Sequence, residues 1–233
     1  MHLSAQHPEG LEELRRLIAR TPAADALYLL GDIFEYWVGD DDLLEPFHEA
    51  VAETLRDAGC PVYLMHGHRD FLLGHAFEVA ANATLLPDPT LIDLYGVPTM
   101  LLHGDTLCTD DVGYQRFRAV VRRGWVQRLF LRLPHAWRRR FAGYTRQRSR
   151  VAQSQVPMAR LDATPRAIEA VLRDTGAERL LHGHTHRPAR HDVTVDGRAC
   201  QRWVLADWYG VGTALEVTPA GAETIRLGAE TIG

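Results

Sequence analysis

The stretch Leu181-His182-Gly183-His184-Thr185-His186-Arg187-Pro188 decides how the rest of this chain is interpreted. It begins at the end of a short apolar run, Gly183 allows a tight turn, and Pro188 prevents a helix from following directly. Two imidazoles at positions i and i+2 can converge on one cation, and histidine is the commonest metal ligand because its neutral ring nitrogen is available near neutral pH. The pattern predicts a metal site at the end of a β-strand. Taken alone, it also fits a pair of surface or turn histidines.

Three other segments share this design, in which an apolar strand ends in Gly or His beside a residue that can bind a metal. In chain order they are Ala26–Asp32, Val62–Asp70 and Thr99–Asp105, and a short fragment, His2-Leu3-Ser4, opens the chain. In an open α/β sheet such strand ends collect along one edge, where the active-site crevice lies. We therefore expect these segments to meet at one site.

The composition indicates a globular protein from a reducing compartment. The 233 residues are 46% hydrophobic and 24% charged, which predicts a sizeable core in one large domain or two small ones. The three cysteines are isolated and suit neither a disulfide framework nor a CxxC metal motif. The sequence indicates no signal peptide, and no apolar run approaches the ~18 residues that cross a bilayer, so we expect any membrane association at the surface.

The net charge of −4 conceals a strong asymmetry. Residues 112–161 contain 13 of the 26 basic residues, all of them Arg, and no Asp or Glu, so this segment carries +13 and the remainder −17. Charge segregation of this kind predicts that one region faces a polyanion or an anionic membrane.

Hydrophobic periodicity predicts helices that alternate with strands. We expect helices at residues 11–18, 46–58, 75–81 and after Pro165, and strands at residues 26–30, 62–66, 179–182, 192–195, 201–205, 214–217 and 223–227. Residues 91–95 and 98–103, joined through Gly96, are expected to form a hairpin, and Asp196-Gly197 predicts another. The alternation indicates an α/β fold with a parallel or mixed sheet.

From residue 111 to about residue 150 the pattern is helical, with aromatic and leucine side chains on one face and arginines on the other. A basic amphipathic helix with Trp and Phe lies readily at a lipid interface, which is the interpretation we favour because the segment holds no acidic partner for its arginines. A solvated lid and an RNA-binding face are the alternatives. The simplest division of the chain is one domain, residues 1–233, with a helical insertion at about residues 112–161.

The predicted ligands suit Mn²⁺, Fe²⁺ or Zn²⁺ better than Ca²⁺. Asp32, which follows an apolar strand and Gly31, is the best candidate for a carboxylate that bridges two ions. Two metals about 3.5 to 4 Å apart lower the pKa of a bridging water and clamp the oxygens of a phosphoryl group. Arg69, in the same crevice, would neutralise charge on that group. The pattern therefore favours metal-assisted phosphoester hydrolysis.

The chain resembles the calcineurin-like metallophosphoesterases, whose motifs run Asp-x-His, Gly-Asp, Gly-Asn-His/Arg-Asp, His and Gly-His-x-His. Longer strings are similar to the UDP-2,3-diacylglucosamine diphosphatases of the lipid A pathway, namely Gly31–Asp41, Arg69–Gly74, His103–Asp111 and Gly183–Pro188. This resemblance covers nearly the whole chain. It implies an α/β/β/α sandwich of mixed sheets with a helical lid. The implied reaction is hydrolysis of UDP-2,3-diacylglucosamine at the α-phosphorus, giving UMP and 2,3-diacylglucosamine 1-phosphate, with the lid holding two acyl chains at the cytoplasmic face of the inner membrane.

Position by position, the resemblance implies ligands for two Mn²⁺ ions at His2, Asp32, His68, His103, His184 and His186. It places Asp32, His103 and Arg69 at the catalytic centre, and His103 and His184 also suit proton transfer. Implied substrate contacts come from His68, Arg69, Asp111, Ser149, Gln153 and His184. No nucleic-acid partner is expected.

The sequence departs from the family pattern at three places. Position 68 is His where the family has Asn, and imidazole is a stronger donor with a different reach. Val156 stands where the family has a basic residue, for which Arg150 could substitute. The Asp of Asp-x-His is not in the sequence, so we expect a strand ending in that Asp to precede Met1, and little activity without it.

Two other functions stay open on the sequence. One is a metal-dependent phosphoesterase that acts on a nucleotide or a phosphoprotein. The other is an inactive, membrane-associated binding protein, which the missing Asp and His68 would favour.

Overall fold

Helices and strands alternate along the chain, as the hydrophobic periodicity predicts. A computed structural model describes residues 1–154 and 162–228, without the side chains of residues 146–154. The helices are α1 (Glu9–Ile18), α2 (Pro46–Arg56), α3 (His75–Ala81), α4 (Val112–Val121), α5 (Gly124–Leu131), α6 (His135–Ser154) and α7 (Pro165–Thr175). The strands are β1 (Leu27–Leu29), β2 (Val62–Leu64), β3 (Ala83–Leu85), β4 (Thr90–Leu94), β5 (Val97–Leu102), β6 (Arg179–His182), β7 (Ala189–Val195), β8 (Arg198–Val204), β9 (Thr213–Thr218) and β10 (Gly221–Arg226).

The strands form three sheets. A parallel sheet has the order β1-β2-β3, a mixed sheet has the order β4-β5-β6-β8-β7, and β9 and β10 form an antiparallel pair. Within the mixed sheet, β5, β6 and β8 are parallel, whereas β4 and β7 are antiparallel to their neighbours. Leu29 pairs with Leu64 in the first sheet and Leu102 with His182 in the second, so the carboxyl ends of these strands are aligned.

Buried side chains show the layer order. One core cluster joins α1, α2 and α3 to the first sheet, through residues such as Leu14, Leu55 and Phe77. A second joins α7 to the mixed sheet, and a third, of Leu30, Met65, Leu101 and Leu181, lies between the two sheets. Side chains of successive strand residues point to opposite faces, so each sheet packs on both sides. The observed order of helix, sheet, sheet and helix confirms the predicted α/β/β/α sandwich.

Most predicted elements are present, with small differences at their ends. The hairpin of β4 and β5 and the hairpin of β7 and β8 both form, and Asp196 (φ 49°) and Gly197 (φ 80°) adopt the left-handed conformation that the second turn needs. The sequence analysis did not predict β3, which follows α3 after one residue, Asn82.

Helices α4, α5 and α6 expose large apolar side chains, including Phe117, Trp125, Leu129, Trp137 and Phe141. No residue of α4 or α5 is buried. No helix in residues 1–154 or 162–228 is both long enough and apolar enough to cross a membrane.

Several arginines of the insertion do have acidic partners, which lie elsewhere in the sequence. Arg138 is buried, donates to the carbonyl of Val38 and pairs with Asp41. Arg139 forms an ion pair with Glu45. The expectation that these arginines lack acidic partners was therefore wrong, because the partners come from the segment before α2.

Candidate metal centre

Four of the six predicted ligands converge at the aligned strand ends. Asp32, His68, His103 and His184 each offer one ligand atom, and these atoms lie within 4.8 Å of one another. They follow β1 and β2 of the parallel sheet and β5 and β6 of the mixed sheet, so the strand ends meet as predicted, but at the ends of two packed sheets and not at one edge of an open sheet. We call these four residues the ligand group.

Distances within the ligand group suit a shared cation. His68 Nδ1 lies 2.8 Å from Asp32 Oδ2, and His103 Nε2 lies 3.7 Å from the same oxygen. His184 Nδ1 is buried and makes no hydrogen bond to the described residues. Buried polar atoms without such a partner are expected where a metal ion is the partner. The residues present, His68 among them, therefore fit a divalent cation.

The electrostatics at Asp32 and His184 favour the protonation states of ligands. Burial raises the pKa of Asp32, but His68 and His103 lower it more, so the pKa stays well below its usual value. Burial also lowers the pKa of His184 well below its usual value. An ionised carboxylate and a neutral imidazole are the forms that bind metals.

His2 and His186 form a separate pair beside the ligand group. Their Nε2 atoms are 3.2 Å apart, and the backbone N–H of His2 donates to the carbonyl of Asp32. Burial lowers the pKa of both histidines. His186 Nδ1 lies 2.8 Å from the carboxylate of Asp207, and His2 Nδ1 lies 3.6 Å from Glu35. A carboxylate on one ring nitrogen orients a histidine so that the other nitrogen faces a metal. The sequence analysis missed both carboxylates, which follow no ligand motif.

The turns that carry the ligands require unusual backbone geometry. Asp32 (φ 51°) has a left-handed conformation, which is uncommon for a residue other than glycine. A side chain at Gly67 would place its Cβ 2.1 Å from the backbone nitrogen of Asp32, so only glycine fits there. The buried carboxylate of Asp70 accepts hydrogen bonds from the backbone of Ile33 (2.6 Å) and Gly67 (2.8 Å). Asp70 therefore joins the turns after β1 and β2, a role that the sequence analysis did not assign.

Arg69 lies in the crevice where the sequence analysis placed it. Its Nε donates to His68 Nε2 at 3.3 Å, and its Nη1 is 2.5 Å from Glu35 Oε1. Tyr209 donates its hydroxyl proton to the same Glu35 carboxylate at 3.0 Å. Glu35 therefore fixes the guanidinium at the border between the ligand group and the His2–His186 pair.

The remaining predicted substrate contacts lie in the insertion or at its start. Asp111 caps α4 by accepting a hydrogen bond from the backbone N–H of Tyr114 at 3.0 Å, a structural role that the sequence analysis did not include. The side chains of Ser149, Gln153, Arg150 and Val156 lie outside the described residues.

Helix α4 also contacts the turn that carries His103. Tyr114 donates its hydroxyl proton to Asp105, and Arg118 Nε lies 2.8 Å from the same carboxylate. Although burial raises the pKa of Asp105, His103, Tyr114 and Arg118 lower it to about 2 overall. This ionised Asp105 ties the start of the insertion to the metal centre.

Metal-binding side chains at the strand ends of an α/β/β/α sandwich define a class of protein, the metallophosphoesterases. The family model described as calcineurin-like phosphoesterase matches residues 1–188, and the chain belongs to this family. It is a metal-dependent hydrolase.

Curated relatives narrow the comparison. The chain is 46% identical to the UDP-2,3-diacylglucosamine hydrolase of Aeromonas salmonicida over 223 residues, which cover 94% of this chain and 87% of the relative. It is 46% identical to that of Nitrosococcus oceani over 227 residues (95% and 90%) and 43% identical to that of Salmonella arizonae over 231 residues (97% and 96%). The resemblance stated from the motifs is thereby confirmed.

Proposed function

We propose that this protein hydrolyses UDP-2,3-diacylglucosamine at the α-phosphorus, giving UMP and 2,3-diacylglucosamine 1-phosphate for lipid A biosynthesis. The observation that carries the proposal is the convergence of Asp32, His68, His103 and His184 beside Arg69. Identity of 43% to 46% to hydrolases named for this substrate supports the choice of substrate.

The ligand group and the His2–His186 pair would hold divalent cations, which we propose to be two Mn²⁺ ions per chain. Such ions supply an activated water and stabilise charge on phosphoryl oxygens. Asp32 lies between the two sets of histidines, since its carboxylate contacts His68 and its carbonyl accepts from the backbone of His2. Asp32 is thus the residue suited to serve both ions.

Arg69 would bind the pyrophosphate. Its guanidinium borders the ligand group and is fixed by Glu35, so little side-chain entropy is lost when it meets an anion. A positioned cation stabilises the charge that develops on phosphoryl oxygens during in-line attack.

We propose that the exposed apolar face of α4 to α6 holds the acyl chains and lies on the anionic inner membrane at its cytoplasmic face. Its large apolar side chains are exposed, as are Arg116, Arg128 and Arg140 on the same helices and Arg123 and Arg132 at the two ends of α5. Apolar side chains flanked by arginines suit both acyl chains and anionic head groups.

Mn²⁺-dependent release of UMP from UDP-2,3-diacylglucosamine tests the proposal, with bis-p-nitrophenyl phosphate as the competing substrate. We expect UMP as the uridine product and a preference for the diacyl substrate. A preference for bis-p-nitrophenyl phosphate would favour a broader phosphoesterase. Saturable binding of the diacyl substrate without hydrolysis of either compound would favour a binding protein.

A further inference from the structure

The turn that carries His184 and His186 has an unfavourable backbone conformation. His184 (φ 67°) and His186 (φ 53°) both lie in the left-handed region, which is unfavourable for a residue with a Cβ. Such conformations persist only where the surrounding structure fixes them. The neighbours of this turn must therefore supply the contacts that hold it.

Both backbone polar groups of Gly183, which starts the turn, are fixed. Its N–H donates to the carbonyl of His103 at 2.9 Å, and its carbonyl accepts from the backbone N–H of Thr185 at 2.8 Å. The same carbonyl lies 2.9 Å from Nδ1 of His182. A Cβ at Gly104 would lie 2.8 Å from this oxygen, so the turn after β5 packs directly on it. Gly183 thus sets the position of His184 relative to His103.

A neutral His182 donates to the Gly183 carbonyl in one tautomer only, and Arg202 selects that tautomer. His182 is buried, and Arg202 Nε donates to its Nε2 at 2.8 Å. Because a guanidinium has donors and no acceptor, Nε2 carries no proton, and a neutral ring then bears its proton on Nδ1. That proton is available for the carbonyl of Gly183.

Asp162 supports this arrangement from the other end. Its carboxylate accepts a hydrogen bond from Arg187 Nη1 at 2.7 Å and lies 3.8 Å from Arg202 Nη2. Arg187 belongs to the ligand turn, and Arg202 lies on β8 next to β6. One carboxylate therefore holds both arginines that border the turn.

We propose that Arg202 is a positioning residue for the metal centre, acting through His182 on the Gly183 carbonyl and hence on the left-handed turn that presents His184. Arg202 lies beyond every ligand motif of the sequence. The inference rests on the proposed metal centre, and its test uses readouts other than hydrolysis.

The test replaces Arg202 by Met in the full-length protein, since Met keeps an unbranched apolar stem and removes the donors. Nitrogen-15 NMR of the histidine rings, assigned with His182→Asn, reports the tautomer of His182, and calorimetric titration reports Mn²⁺ affinity. We expect the Nδ1–H tautomer in the wild type, a mixture in Arg202→Met, and a roughly 10- to 100-fold loss of Mn²⁺ affinity. Arg202→Lys, which retains a donor, should recover part of both.

Arg198→Met is the matched control, because Arg198 lies on the same strand but donates to the carbonyls of Leu172 and Gly176, at the end of α7. It should leave the tautomer and Mn²⁺ affinity unchanged. Wild-type tautomer and affinity in Arg202→Met would overturn the inference. If that variant fails to fold, an Nε2–H tautomer of His182 in the wild-type protein would overturn it equally. Wild-type protein that binds Mn²⁺ with the expected tautomer but releases no UMP would contradict the proposed function alone.

Discussion

The turns that carry the metal ligands and the helices α4 to α6 differ in how their side chains are covered. Asp32 and His103 are 3% and 1% exposed, whereas Trp125 and Trp137 are 59% and 66% exposed. In the turns, hydrogen bonds and left-handed residues fix the ligands. In the helices, the buried Arg138 binds the backbone of the segment before α2, while the large apolar side chains face outward. The difference indicates that the protein fixes the reacting groups in its interior and leaves the surface that would meet a lipid open.

Replacing Asp32 by Asn should have the largest effect. Asn keeps the shape of the side chain and removes the negative charge that faces His68 and His103. We expect Mn²⁺ affinity and hydrolysis to fall by more than ~100-fold, since residues that merely orient ligands contribute roughly 10- to 100-fold. Calorimetric titration and metal analysis after dialysis measure the loss. Asp57→Asn, at an exposed carboxylate after α2, should change neither, and near-wild-type Mn²⁺ affinity in Asp32→Asn would refute the role of this carboxylate.

Acid should weaken the ligand turns through His182. Burial, with a smaller effect from Arg202, lowers the pKa of His182 to about 4, whereas an unfolded chain has a value near ~6.5. The unfolded state therefore binds more protons below pH ~6.5, and the free energy of unfolding falls as the pH decreases from ~6.5 towards ~4, by up to about 3 kcal/mol from this group. Urea unfolding of the metal-free protein across this range measures the change.

The variant His182→Asn separates this contribution from other titrating groups. Asn retains a side-chain donor near the position of Nδ1 but has no proton to gain. Its unfolding free energy should decline less steeply with acid than that of the wild type. Parallel curves for the two proteins would show that His182 does not titrate as the structure indicates.

Serine at Trp125 or Trp137 should have a smaller effect, confined to the lipid substrate. Both side chains are exposed, so the fold should keep its stability. Burial of a large apolar side chain contributes roughly 1.5 to 3 kcal/mol, so each change should raise KM for the diacyl substrate by about tenfold. The rate on bis-p-nitrophenyl phosphate should not change. Leu44→Ser, at an exposed apolar residue outside the insertion, is the control. An equal rise of KM in this variant would show that the preference for the diacyl substrate does not depend on α4 to α6.

Arg128→Gln should have the smallest effect. Arg128 is exposed on α5, and an arginine near anionic lipid contributes ~1 kcal/mol. Binding to vesicles that contain anionic lipid should weaken by about fivefold, and added salt should remove the difference between variant and wild type. Arg20→Gln is the control, because Arg20 is exposed in the acidic part of the chain outside the insertion, and this variant should bind vesicles like the wild type. A salt-independent loss in Arg128→Gln would point to a structural role of this arginine.

The ligand turns could be predicted from sequence because each one is a contiguous motif. An apolar run gives the strand, a glycine permits the turn, and the ligand follows within a few residues, as at Gly31 and Asp32. Alternation of helices and strands then predicts that the strand ends lie together. For this reason the ligand group agrees with the sequence analysis, whereas the layers of the sandwich followed from the family resemblance.

The partners of these residues could not be predicted in the same way. Glu35 and Asp207 are carboxylates in irregular segments, far in sequence from Arg69 and His186, and only the fold brings each pair into contact. The same holds for Asp41 and Glu45, which pair with arginines of the insertion. A charge count along a segment shows an excess of one sign but not which distant residues balance it.

Both ends of the insertion contact turns that carry metal ligands, and these contacts have a thermodynamic consequence. Asp105 connects Tyr114 and Arg118 of α4 to the turn of His103. Asp162, just after the insertion, connects its other end to the turn of His184 through Arg187. If lipid bound to α4 to α6 shifts either end of the insertion, the contacts with the ligand turns change and the metal affinity changes by some factor. Linkage then requires that loading the metal changes the affinity for lipid by the same factor. Lipid binding and metal binding would therefore be coupled. The lipid affinity measured with and without Mn²⁺ gives the coupling free energy.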